Sequence, residues 1–393
     1  MVFSVKTYNN INQIGLKELG NHFQIDGDLA ENPDAFIIRS QNLHNTVFPD
    51  NLKAIARAGA GTNNIPVDEA TEKGIVVFNT PGANANAVKE AVLASILLSA
   101  RDYIAANAWV NTLSGDDVPK QIEAGKKQFA GSEITGKTLG VIGLGAIGAR
   151  IANYAYRLGM KVYGYDPYVS IEAAWNISHH VRRVSDLKEI FENCDYITVH
   201  VPLTPDTTGT FNADAFNLMQ KGTTIINFAR AELVDNYALF DALETGVVKR
   251  YITDFGTEDL LNKPNVTVFP HVGGSTGEAE LNCAIMAGQT IRRFMETGEI
   301  VNSVNFPRVQ QALSAPYRIT LINKNVPNIV ARISTAVSDF NINIDNIINR
   351  SKGDYAYTLL DLDETDKEKI DELVAKFEAS DNIVRVRLIK GKK

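Results

Sequence analysis

Cysteine is scarce in this sequence. The 393-residue chain has two, Cys194 and Cys283, far apart and outside any metal-ligand spacing. That excludes a disulfide scaffold and a cysteine-built metal centre, and it fits reduced structural thiols in a cytoplasmic protein. Long apolar runs are also missing. The longest, Ala91 to Ala100 (AVLASILLSA), falls well short of the ~20 residues a membrane helix needs. The opening MVFSVKTYNN has no charged segment followed by an apolar one, so no signal peptide is expected. There is no basic block, and the formal net charge is -7. Nucleic acid or an anionic membrane is therefore not expected as the main partner. What remains is an ordinary globular composition in a chain too long for one core, so two or three domains are expected.

Apolar strands and amphipathic helices alternate through most of the chain. DAFIIRS, LKAIARAG and IVVFNTP read as strands, with helical stretches around Val67–Lys73 and Ala87–Arg101. From Lys137 the rhythm is regular. KTLGVIGLG, KVYGYD, DYITVHVP, TTIINFAR, RYITDF and NVTVFP are strands, and amphipathic helices separate most of them. This alternation predicts a parallel sheet with helices on both faces, and such sheets bind ligands at the carboxyl ends of their strands. The rhythm breaks at ALSAP, Ala312 to Pro316. The remainder reads βαββαβ and is short enough for a separate small domain.

LGVIGLGAIG carries Gly143, Gly145 and Gly148 as G-x-G-x-x-G. The pattern alone is weak, but here it follows an apolar strand, opens a helix, and precedes a strand ending in Asp166 about twenty residues on. Gly143 serves the tight turn, Gly145 lets the backbone approach a pyrophosphate, and Gly148 allows the helix to pack on its strand. The helix N-terminus supplies free N–H groups for the phosphates. Asp166 would accept from the ribose hydroxyls. No Arg or Lys follows in DPYVSIEAAW to welcome a 2′-phosphate, so the expected cofactor is NAD rather than NADP.

Four more polar residues fall at the carboxyl ends of predicted strands: Arg230, Asp254, Glu258 and His271. Each alone would be a loop charge or a structural histidine; together, beside a dinucleotide site, they suit hydride chemistry. Oxidising a secondary alcohol needs a base for the hydroxyl proton, and His271 fits. Glu258 would orient the ring, Arg230 would hold a substrate carboxylate, and Asp254 would anchor the nicotinamide. The expected reaction interconverts a 2-hydroxy acid and a 2-oxo acid.

GLGAIG, VHVPLTPDTTG, IINFARAELVD and FPHVGGST in series resemble the signatures of the D-2-hydroxyacid dehydrogenase family, over about residues 1 to 307. The resemblance implies a catalytic Arg–Glu–His set at Arg230, Glu258 and His271. It implies cofactor contacts at Gly143, Gly145, Ala146, Ile147, Gly148, Asp166, Val201, Thr207, Phe228, Ala229, Arg230, Asp254, His271, Gly273 and Gly274. It also implies an α/β fold in which a Rossmann-type doubly wound sheet is inserted in a flavodoxin-like substrate domain. The expected boundaries are 1–96 for the first part of the substrate domain, 97–281 for the NAD domain, 282–311 for the return, and 317–393 for a C-terminal domain. Ala146 stands where the family often has Arg, and Ala231 where it often has Gly.

IIRSQNL and IARAGAGTNNI resemble the branch of the family that acts on a small phosphorylated 2-hydroxy acid. That implies substrate contacts at Arg39, Ser40, Arg57, Ala60, Gly61 and Asn84, with the two arginines on the phosphate. The implied reaction is oxidation of 3-phospho-D-glycerate at the head of L-serine synthesis. The βαββαβ tail resembles an ACT domain, which implies subunit pairing into a homo-oligomer and L-serine as an effector at Asn325 and Asn343. Here Asn323 stands where a His is often found, and Asn328 replaces a Gly. Two other readings compete: a dehydrogenase of glyoxylate, 2-oxoglutarate or lactate-like acids, and a non-enzymatic NAD-sensing binding protein.

Overall fold

The computed structural model describes residues 2–26 and 31–391. The chain forms two compact units, Met1–Ala83 with Glu280–Lys393, and Asn84–Ala279. The sequence reading drew these crossings at 96/97 and 281/282. The helix Ala85–Ala100 goes with the second unit because Val88, Val92, Ile96 and Ala100 share a core with Leu139, Val141 and Ile151.

The first unit opens with five strands: β1 (Phe3–Thr7), β2 (Phe23–Ile25), β3 (Ala35–Ile38), β4 (Ala54–Arg57) and β5 (Val76–Phe78). They pair in parallel in the order β2-β1-β3-β4-β5. This is the flavodoxin-like order, whose ligand crevice lies at the β1/β3 switch point. All four residues of β3 are buried, which is why that strand reads as a continuous apolar run rather than an alternating one.

The second unit holds seven parallel strands: β6 (Thr138–Ile142), β7 (Lys161–Tyr165), β8 (Arg182–Arg183), β9 (Tyr196–Val199), β10 (Thr223–Asn227), β11 (Val248–Thr253) and β12 (Val266–Val268). Their order is β12-β11-β10-β9-β6-β7-β8, so the order reverses between β6 and β9. Two core clusters, one around Ile225 and Phe211 and the other around Ile226 and Val141, share out the buried side chains of these strands.

The tail forms β13 (Tyr317–Lys324), β14 (Ile344–Lys352), β15 (Tyr355–Leu362) and β16 (Ile383–Lys390), antiparallel in the order β14-β15-β13-β16. The helices Ile329–Asp339 and Lys367–Glu378 pack on Ile319, Leu321, Leu360 and Leu362. The alternate residues Ile322, Tyr357 and Leu359 join the core of Phe78, Phe294, Met295 and Ile300 instead. The tail sheet is thus buried on both sides and belongs to the first unit. Arg318 pins it in place. Fully buried, it grips both oxygens of Asp361 at 2.5 and 2.7 Å and donates to the carbonyls of Thr297, Gln311 and Ala312. Arg385 and Arg387 of β16 likewise donate to the carbonyls of Leu52 and Lys73, and of Phe294 and Met295.

Candidate active site

Each glycine of the G-x-G-x-x-G loop has a distinct spatial reason. Gly143 has φ +88°, and a Cβ there would lie 2.6 Å from the carbonyl oxygen of His200. At Gly148 a Cβ would lie 1.8 Å from the carbonyl oxygen of Gly143, so the helix Gly148–Arg157 abuts its strand. At Gly145 a Cβ would meet nothing within 4 Å. That open backbone leads into the helix N-terminus, where free N–H groups suit a pyrophosphate. Ala146 is exposed beside it and Ile147 half-buried. Asp166 follows β7, and its carboxylate accepts from the N–H groups of Leu144 at 2.8 Å and Tyr168 at 2.9 Å. These bonds fix it against the glycine turn. Val201 contacts the same turn, and the Thr207 hydroxyl ties its own loop by donating to the Pro202 carbonyl at 2.7 Å.

Across the sheet, Arg230 follows β10 in extended backbone and is exposed. Its turn is held from within by Asn227, a fully buried residue the sequence reading passed over. The Asn227 amide donates to the Arg230 carbonyl at 2.8 Å and to the Tyr251 hydroxyl at 3.2 Å, and its oxygen accepts from the Ala229 N–H at 3.0 Å. Asn227 is the one amide in the strand Thr223–Asn227 and follows two isoleucines directly, which is the signal that could have found it. Replacing it with alanine should cost about 1–3 kcal/mol, since buried partners are left unmatched. Denaturant unfolding checks this, and an unchanged midpoint would contradict the role.

Asp254 is buried after β11. Its Oδ2 accepts from the Gly273 N–H at 3.1 Å, while its Oδ1 has no partner among the described residues. Burial pushes its carboxyl above the usual range. An unpaired buried acceptor of this kind is what a ligand amide would satisfy. Gly273 also lies against Phe228, and Gly274 against the side chain of Asn84. His271 is exposed, and its ring lies 4.6 Å from that of Phe255. The Arg230 guanidinium lies 6.0 Å from the same Phe255 ring. Phe255, which the sequence pattern does not mark, is thus a neighbour that the cation and the imidazole share. Glu258 is exposed and makes no hydrogen bond to His271. The neighbouring Asp259 is committed to Thr257 and Asn236, bonds that hold its carboxyl below the usual range. Arg230 and His271 therefore lie beside one ring, with Asp254, at the carboxyl edge of the second unit's sheet, and the exposed Glu258 opens the short helical turn Glu258–Leu260 in the loop after β11.

His200, behind the glycine turn, is a structural histidine. Its Nε2 lies 2.8 Å from the Thr198 hydroxyl, and its Nδ1 is buried with no hydrogen-bond partner among the described residues. Burial pushes its pKa down to about 3. An unfolded histidine takes up a proton below about pH 6.5, while this one does so only near 3. The unfolded chain therefore binds the extra proton in that window, and stability falls with falling pH. A loss of about 2 kcal/mol is expected from pH 7 to pH 5, and His200→Gln should flatten that limb of the melting profile.

In the first unit, Arg39 and Ser40 follow β3, and Arg57 ends β4. Arg57 Nε donates to the Arg39 carbonyl at 3.1 Å. Its guanidinium lies against the Gly59–Gly61 loop, where a Cβ on Gly59 would come within 2.7 Å. The Ser40 N–H is used by Asn9 at 3.0 Å, and the Ala60 carbonyl accepts from Asn79 at 2.6 Å. Arg39 Nη2 pairs with Glu280 at 2.7 Å. Both line a cavity of about 250 Å³ with Asn10, Asn12 and Ala58, at the carboxyl ends of β1, β3 and β4. In the tail, Asn325 donates to the Gly353 carbonyl at 3.1 Å and Asn343 is exposed. Asn323 is fully buried and accepts from the Thr358 hydroxyl at 3.0 Å.

Among the described residues no helix is long and apolar enough to cross a membrane, and no His, Cys, Asp or Glu cluster could hold a metal ion. Residues 93–273 match the family model of the D-isomer specific 2-hydroxyacid dehydrogenase NAD binding domain. The D-3-phosphoglycerate dehydrogenase of Methanocaldococcus jannaschii is 37% identical over 291 residues, 72% of this chain and 53% of that protein. The D-3-phosphoglycerate dehydrogenase 1 of Saccharomyces cerevisiae is 30% identical over 363 residues, 86% of this chain and 74% of that protein. The chain spans about half the length of the first curated relatives it matches. The NAD+-bound 3-phosphoglycerate dehydrogenase of Entamoeba histolytica aligns with a TM-score of 0.59 at 26% identity, covering 78% of this chain and 99% of that one.

Proposed function

The chain belongs to the D-isomer specific 2-hydroxyacid dehydrogenase family, and on that premise we propose that it is a D-3-phosphoglycerate dehydrogenase. It oxidises 3-phospho-D-glycerate to 3-phosphooxypyruvate with NAD, the first step of L-serine synthesis. The observation that carries this reading is the gathering of Arg230, Asp254 and His271 on the sheet edge that also bears the open Gly145 turn.

NAD, when bound, supplies the acceptor for the hydrogen leaving C2 of the substrate. Gly145, Ala146, Ile147 and the helix N-terminus are assigned its pyrophosphate, and Asp166 its adenosine ribose. The unpaired Oδ1 of Asp254 is assigned the carboxamide. His271 accepts the hydroxyl proton, and Arg230 polarises the reacting oxygen and holds the carboxylate. Glu258 steadies the imidazole in its protonated form, a task Asp259 cannot share while bound to Asn236 and Thr257. Arg39 and Arg57 are assigned the phosphate, and the N–H groups of Ala60 and Gly61 the carboxylate.

The phosphate assignment has a direct test. Arg39→Ala and Arg57→Ala should each raise KM for the phosphorylated substrate about tenfold, the loss expected for a charge-assisted hydrogen bond. Undiminished activity in the double variant would move the assignment to an unphosphorylated 2-hydroxy acid. The tail is assigned an L-serine site at Asn325 and Asn343 and a role in pairing subunits of a homo-oligomer. Insensitivity of turnover to L-serine would remove the first of these roles. The reading places the enzyme in the cytoplasm, with both cysteines free.

A further inference from the structure

Arg39, one of the two arginines assigned to the phosphate, carries an internal anion. Its Nη2 lies 2.7 Å from Oε1 of Glu280, and its side chain has no other partner among the described residues. Glu280 projects from the helix Gly277–Thr297, one turn before Cys283. Arg57 reaches the same strand end, where its Nε donates to the Arg39 carbonyl at 3.1 Å. Two cations and one anion therefore share the carboxyl ends of β3 and β4, a net charge of +1. A phosphate arriving there carries up to two negative charges.

We propose that Glu280 is a specificity-determining residue that occupies Arg39 in the substrate-free enzyme and competes with the substrate's phosphate for it. The inference rests on the phosphate reading given above. The pair is suited to exchange. The side chains are 39% and 44% exposed, so the ion pair holds Arg39 with at most about a fivefold advantage. A phosphate offers more acceptor oxygens and more charge than the carboxylate it displaces. Until Glu280 swings clear, its charge also repels the incoming phosphate. The residue thereby moderates affinity for the phosphorylated acid without touching the reacting atoms.

Glu280→Gln keeps the shape and removes the charge. Steady-state kinetics of the full chain should then show KM for 3-phosphohydroxypyruvate falling about fivefold, with kcat unchanged. KM for unphosphorylated hydroxypyruvate should stay the same. Inorganic phosphate, as a competitive inhibitor, should bind the variant about fivefold more tightly, and added salt should shrink the difference. A KM and a phosphate inhibition constant that stay constant or rise would overturn the proposal, as would an equal fall for both substrates. If the wild-type chain shows no preference for the phosphorylated acid, the functional reading fails instead. The inhibition constant of phosphate still decides the role of Glu280 in that case. A melting curve confirms that the exposed substitution leaves the fold intact.

Discussion

Replacing His271 with asparagine is expected to lower kcat about 10²- to 10⁴-fold, the range for removing a positioned acid–base group. Asparagine keeps a polar side chain beside Phe255 and cannot take the hydroxyl proton. NADH binding should survive, because the glycine turn, Asp166 and Asp254 are untouched. Fluorescence titration with NADH, set beside turnover, separates the two effects. A comparable loss in both would mean that His271 shapes the cofactor site rather than handling a proton. A kcat within a few-fold of wild type would remove it from the chemistry altogether.

The largest effect on stability is expected at Arg318. Its guanidinium is buried with Asp361 and also serves three carbonyls, those of Thr297, Gln311 and Ala312. Arg318→Met leaves Asp361 as a buried carboxylate with no cation. Breaking such a pair from one side costs about 3–5 kcal/mol. Changing both residues, Arg318→Met with Asp361→Leu, should recover much of that, because a buried pair exchanged for packed apolar groups is often near neutral. Denaturant midpoints of the single and double variants test the claim. A single-variant loss under about 1 kcal/mol would show that the tail is held by its apolar face alone.

These two sites differ in how far the sequence exposed them. The nucleotide-binding sheet was legible because its strands are apolar runs punctuated by turns, and because the glycine spacing has a steric cause at each position. His271, Arg230 and Asp254 were legible as polar residues at strand ends, where a parallel sheet delivers its ligands. The tail's βαββαβ order was also readable, from its alternation and the SKGD turn. Its docking was not. The residues that bury its second face, Arg318, Ile322, Tyr357 and Leu359, simply alternate with those facing the helices, and a period of two does not say what covers either side. The short β1 and β2 were passed over because polar residues interrupt them (FSVKT and FQI), which leaves no apolar run like the AFII of β3. Asn227, Phe255 and Glu280 escaped because their roles are relations between segments distant in sequence or turns seen only in space.

The central claim is tested most directly by following NADH absorbance with 3-phosphohydroxypyruvate, set against glyoxylate, 2-oxoglutarate and pyruvate, each with and without L-serine. Selective consumption with the phosphorylated acid at ordinary enzymatic rates is the predicted result. Equal or faster turnover of an unphosphorylated acid, or none across the panel, would contradict it.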